Sequence, residues 1–154
     1  MSGAEAAIAA MTAAGLEHVV TRHAPVRSLE EAAAARGVAP AALIKTMVVR
    51  RAEGDYLFVL VPGDRSISWP KLRELLGVSR LSMPDAATAK EVTGYERGTI
   101  TPFGASHAWP VIADSRVEGT VSIGAGAHGV AATADGAELV AALGAQQADV
   151  TEPA

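Results

Sequence analysis

One ammonium group stands inside an apolar run. Leu43-Ile44-Lys45-Thr46-Met47-Val48-Val49 reads as a buried strand, and at a period of two Leu43, Lys45, Met47 and Val49 share a face. A lysine there either snorkels to a rim or points into a cleft that holds something for it to bind. The alternative is an edge strand whose lysine reaches solvent and blocks edge-to-edge pairing. A second candidate is Gly124-Ala125-Gly126-Ala127-His128-Gly129. It fits the spacing of a dinucleotide loop only superficially, because the residues that follow, Val130-Ala131-Ala132-Thr133, look extended rather than helical. Two readings of this loop stand. It is a tight glycine-rich hairpin or bulge, or its bare backbone N–H groups face a ligand oxygen.

Other chemistries are excluded or weak. The chain has no cysteine, which removes disulfides, thiolate metal sites and a cysteine nucleophile. Its histidines, His18, His23, His107 and His128, show no helical i, i+4 pairing and no acidic cluster beside them, so no metal site is expected. His128 draws interest because it lies inside the glycine loop, although an exposed loop histidine is the more common outcome. No serine sits in a G-x-S-x-G elbow. Arg50, Arg51, Arg65, Lys71, Arg73 and Arg80 form the densest basic stretch, which reads as a solvated face or a contact to an RNA backbone. The net charge of −4 argues against general coating of nucleic acid but leaves room for a local basic patch.

The elements that must position these residues are marked by local signals. Residues 4–14 are alanine-rich and stop at Gly15, predicting a helix, and residues 17–22 predict a short strand. Ser28 to Glu31 fits a capping box opening a helix that runs to Arg36 and ends at Gly37. Two apolar runs joined at Glu53-Gly54-Asp55 make residues 43–61 a β-hairpin, which excludes an all-parallel sheet. Ser68, with Pro70 behind it, opens a helix ending at Gly77; Val78 to Ser82 is a short strand; Asp85 caps a helix ending near Gly94. Residues 94–108 read as loop. Strands follow at Trp109–Asp114, where Pro110 implies an edge or a strand start, at Thr120–Ile123 and at Val130–Ala134. Asp135 caps a closing helix, and the tail from Gly144 is expected to be weakly ordered.

At 154 residues, nearly half of them apolar, the chain is expected to form one domain, residues 1–154 with a core at about 3–150. The fold class is α/β, a mixed and largely antiparallel sheet with helices around it. There is no basic, apolar leader and no apolar window of about 18 residues, so no signal peptide and no membrane span is read, and the cytoplasm is the expected compartment.

Three segments stand out together: Ile44-Lys45-Thr46 with its apolar strand, Thr93-Gly94-Tyr95-Glu96-Arg97-Gly98-Thr99-Ile100-Thr101-Pro102-Phe103-Gly104, and the Gly124–Gly129 loop. In this order and spacing they resemble the YbaK/ProX family of aminoacyl-tRNA deacylases. The middle segment is similar to the family's T-G-Y-x-x-G-x-I-x-P-x-G pattern and is the specific one. The resemblance implies a twisted mixed sheet, partly barrel-like and surrounded by helices. It implies hydrolysis of the ester of a wrongly charged aminoacyl-tRNA, chiefly Ala- or Cys-tRNA(Pro), by a free-standing trans-editing enzyme that needs no metal and no cofactor. The partners it implies are the 3′ end of the aminoacyl-tRNA and, behind it, a prolyl-tRNA synthetase.

By the same resemblance Lys45, Gly98 and Gly104 are catalytic. Val20, Thr46, Met47, Thr101, Pro102, Phe103, Gly124, Ala125, Gly126 and His128 are substrate-binding, with His128 near the 3′-terminal adenosine or the aminoacyl group. A charged Lys45 would hold and polarise the ester, since a cation suits a developing oxyanion; it becomes a base only if burial lowers its pKa towards neutrality. Water is the general candidate for the attacking group. Some relatives carry serine then glycine where this chain has Gly124-Ala125, which removes a hydroxyl from the loop. The competing reading is a non-catalytic module that binds tRNA ends or a synthetase.

Overall fold

Side-chain oxygens set where each α-helix begins. Ser2, Ser28, Ser68, Asp85 and Asp135 each accept a hydrogen bond from the backbone N–H three residues on. They open α1 (Gly3–Ala13), α2 (Leu29–Arg36), α3 (Trp69–Leu76), α4 (Ala86–Thr93) and α5 (Gly136–Leu143). The last four end at a left-handed glycine, Gly37, Gly77, Gly94 and Gly144, where a Cβ would be strained. The capping box at Ser28 is displaced by one residue, because Glu31 reaches back to the N–H of Arg27. The computed structural model describes residues 1–154, and no helix in it is long and apolar enough to cross a membrane.

The strands are β1 (Val19–Arg22), β2 (Leu43–Ala52), β3 (Asp55–Pro62), β4 (Arg65–Ile67), β5 (Val111–Asp114), β6 (Thr120–Gly124), β7 (Val130–Asp135), β8 (Gln146–Ala148) and β9 (Thr151–Pro153). Seven of them form one mixed sheet in the order β1-β7-β6-β2-β3-β5-β8, and β4 pairs with β9 beside it. The long ladders are antiparallel, and the hairpin β2–β3 pairs in one register from Ile44↔Pro62 to Arg50↔Tyr56, then shifts by a residue between Arg50 and Ala52 to close at Ala52↔Asp55. The parallel pairings, β2–β6, β3–β5 and β5–β8, each span only two or three residue pairs. The sheet stays open, because β1 and β8 end the order without meeting; the partly barrel-like closure expected from the resemblance is not found.

Both faces of the sheet are covered, which explains why β3 reads as an unbroken apolar run. Phe58 and Leu60 point to a core with Met11, Ile44, Ile123 and Leu139, which α1 and α5 cover. Leu57, Val59 and Val61 point to a second core with Val49, Leu72 and Ile112.

Two expectations need correction. Residues 78–82 make no strand, only an isolated bridge between Ser82 and Arg50. The tail is ordered rather than loose: β8 lies parallel to β5, and β9 lies antiparallel to β4. The reason is a fully buried carboxylate. Asp114 accepts hydrogen bonds from the Val150 N–H (3.2 Å), the Thr151 hydroxyl (2.9 Å) and Arg116 (3.1 Å from its N–H).

Asp149 adds a surface tie, with Arg116 at 2.9 Å and Lys71 at 3.0 Å. Their hydrogen bonds, Arg116 first, hold its carboxyl down at about 2 against an ordinary 3.8. A depressed carboxylate stabilises the fold above its unfolded pKa, and that contribution is lost as pH falls through the folded value. Asp149→Asn should therefore be less stable than the parent at about pH 6, with the gap closing between about pH 4 and pH 2. Urea unfolding across that window checks this, and high salt should shrink the gap because the pair is exposed. A gap that persists undiminished at the acid end contradicts it.

Candidate active site

The site begins where two strands part. β2 and β6 lie together at Leu43↔Ser122 and Ile44↔Ile123 and then separate. β2 regains a partner on that side only at Arg50, whose N–H donates to the Ser82 carbonyl (2.7 Å) while the Ser82 N–H donates to the Arg50 carbonyl (3.1 Å). The opening between is a cavity of about 640 Å³. β2 lines it from Leu43 to Val48. Arg36 at the end of α2, Met83 to Ala86 and Ala89 at the start of α4, Arg97, Gly98, Ile100, and Gly124 at the end of β6 complete the wall.

Lys45 is half-buried in this wall, and its Nζ donates to the Arg65 carbonyl at 2.7 Å. Burial pushes its pKa below the ordinary lysine value, and the charge of Asp64 pulls it partly back. The anchor is itself anchored. Arg65 Nε donates to the Thr151 hydroxyl at 2.7 Å, and that hydroxyl donates to Asp114. The ordered tail thus fixes the carbonyl that fixes the lysine.

Two further groups in the wall have no partner. Thr46 Oγ1 is buried without a hydrogen bond, and so are Nε and Nη1 of Arg36. Burial pushes the Arg36 pKa down. Polar atoms left unpaired out of water are costly, and a ligand oxygen in the cavity removes that cost. Cationic Arg36, Lys45 and Arg97 in one cavity suit an anionic or strongly polarised ligand.

Lys45, Thr46, Met47, Gly98 and Gly124 therefore come together on one cavity. Gly98 sits at a φ of 88°, and a Cβ there would lie 3.4 Å from His128 Cε1. His128 does not line the cavity; it is exposed next door, with Nε2 3.7 Å from the Glu96 carboxylate. The remaining predicted residues lie elsewhere. Gly104 presses on α1, where a Cβ would come 2.6 Å from the Ala6 carbonyl, and Gly126 presses on Gly3. Ala125 is buried in the core. Phe103 is buried too, and its carbonyl accepts from the Tyr95 hydroxyl at 2.6 Å. Thr101 is fully buried and accepts from the Phe103 N–H at 3.3 Å; with Pro102 these residues brace the loop from beneath. Val20 packs against the larger core from the edge strand β1.

Sequence reasoning missed Arg36, Arg97 and the Met83–Ala89 wall. An arginine in the last turn of a helix looks like an ordinary partner of the helix dipole, so Arg36 carried no distinguishing signal.

Residues 23–144 match the family model described as an aminoacyl-tRNA editing domain. Proline–tRNA ligase of Bacillus licheniformis is 33% identical over 107 residues, 69% of this chain and 18% of that protein. The Heliobacterium modesticaldum proline–tRNA ligase is 37% identical over 114 residues, 74% of this chain and 19% of that protein. The chain thus spans under a fifth of the length of these ligases. A crystal structure of a candidate trans-editing enzyme for prolyl tRNA synthetase superposes with a TM-score of 0.88 at 27% identity, covering 99% of this chain and 98% of the other.

Proposed function

The chain belongs to the aminoacyl-tRNA editing domain family, and from that premise we propose that it hydrolyses the ester of mischarged aminoacyl-tRNA, acting in trans on Ala- or Cys-tRNA(Pro)-like substrates. The observation that carries the reading is one cavity lined by Lys45, Gly98 and Gly124, with the lysine half-buried and its Nζ held by the Arg65 carbonyl. Lys45 keeps its charge, swings from or shares the Arg65 carbonyl, and polarises the ester carbonyl. Gly98 and Gly124 let the main chain come close to the scissile bond, as no larger residue would. Thr46 offers its free hydroxyl to the substrate, Met47 contributes an apolar wall, and water attacks. Aminoacyl esters are activated, so positioning and one well-placed charge suffice. His128, adjoining Gly98, contacts the RNA outside the cavity.

Incubation of catalytic amounts of the protein with tRNA(Pro) charged with alanine, cysteine, serine or proline tests the proposal. Release of alanine or cysteine over many turnovers, with proline left in place, is the expected result. Tight binding with every ester intact at stoichiometric protein would instead make the chain a tRNA-end or synthetase-binding module.

In this reading Arg36, which lines the cavity with Nε and Nη1 unpartnered, meets a phosphodiester oxygen of the RNA end. Arg36→Ala should raise KM about tenfold with little change in kcat, and should lower the slope of log affinity against log salt by about one. Its stability should not fall, because the guanidinium has no internal partner to lose. An unchanged KM and salt slope contradict this role.

A further inference from the structure

The separation of β2 from β6 leaves part of the β2 edge without a strand opposite. Which main-chain groups lie there follows from the bonds at either end. Arg50 turns both its N–H and its C=O away from β3, towards Ser82. Alternation along a strand then turns the N–H and C=O of Val48 and Thr46 the same way. The pairing with β6 stops at Ile44, so these groups have no strand partner, and both residues line the cavity. Peptide groups shielded from water need partners. Along this edge the Thr46 carbonyl is followed by the Val48 N–H.

We propose that this acceptor–donor pair of β2 binds the Watson–Crick edge of the terminal adenine of the RNA substrate. The proposal rests on the deacylase reading for its substrate, since the nucleoside that carries the ester is the one that must sit beside Lys45. The exocyclic amine of adenine donates to the Thr46 carbonyl, and its N1 accepts from the Val48 N–H. The next group along the edge, the Val48 carbonyl, then faces the adenine C2–H, a weakly favourable contact. Cytosine offers the same first two groups but sets its own carbonyl against that of Val48. Guanine and uracil present a ring N–H to the Val48 N–H, two donors with no acceptor. Ile100 and Ala89 supply apolar surface for the ring. Because main chain does the reading, the selectivity does not depend on any one side chain of the cavity.

The test uses the unaltered protein and changes the RNA. Minihelices carrying alanine on a terminal adenosine, purine riboside (no amine) or inosine (a ring N–H at position 1) are compared for kcat/KM. Non-hydrolysable amide-linked versions are compared for binding. Adenosine should be preferred over both analogues by about 10-fold or more in rate and in affinity. Equal binding of the three overturns the proposal whatever the rates. Base-dependent binding with no hydrolysis of any of them upholds it and contradicts the deacylase reading instead.

Discussion

Asp114→Ala is expected to lower stability by about 3 kcal/mol and to lower deacylation as well. The carboxylate is fully buried and receives the Val150 N–H and the Thr151 hydroxyl, both also buried. Removing it strands these donors without water, at roughly 1–3 kcal/mol each. It also leaves Arg116 with Asp149 as its one ion-pair partner. The loss should spread to the site because Thr151 is shared. Its hydroxyl and carbonyl both receive the Arg65 guanidinium, and the Arg65 carbonyl holds Lys45. Urea unfolding gives the stability. Activity measured well below the unfolding midpoint separates a misplaced lysine from an unfolded chain. Asp114→Asn keeps an acceptor oxygen and should lose less of both. A loss under about 1 kcal/mol would mean that the tail docks without this carboxylate.

That chain of contacts is where sequence reading stops short. The caps at Ser28, Ser68, Asp85 and Asp135, the glycine stops and the β2–β3 hairpin are local, and local residue types announce them. The pairing of β4 with β9 joins residues 65–67 to 151–153, and short polar strands so far apart carry no periodic signal. Asp114 reads in sequence as the end of a strand; only the fold brings Val150 and Thr151 to it. The glycines show a different ambiguity. A bare Cα is needed for close approach, but Gly104 and Gly126 approach the protein's own backbone at α1 and Gly3, while Gly98 and Gly124 line the cavity. Residue type alone does not separate these cases. The fold class and the place of Lys45 in a strand were legible because both follow from hydrophobic patterning. The cavity itself was not, since it exists only because β2 and β6 diverge after Ile44.

The larger effect expected is on chemistry. Lys45→Ala removes the only lysine in the cavity wall and leaves Arg36 and Arg97, neither of which is held by the Arg65 carbonyl. Removing one preorganised electrostatic stabiliser from an acyl-transfer site costs on the order of 100-fold or more in kcat, about 2.7 kcal/mol. The fold should survive, because deleting a partly desolvated ammonium relieves burial that already depresses its pKa. The direction of that shift also fixes the pH behaviour. A lysine acting through its charge loses effect as pH rises through its lowered pKa, whereas a lysine acting as a base would gain effect over the same range.

The most direct measurement is therefore the single-turnover deacylation rate of Ala-tRNA(Pro) by the parent protein and by Lys45→Ala, corrected for uncatalysed hydrolysis. The expected result is a loss of at least about 100-fold in a variant that unfolds at the parent's urea midpoint. A folded Lys45→Ala protein that clears the substrate at the parent's rate would remove the lysine from the reaction and contradict the account.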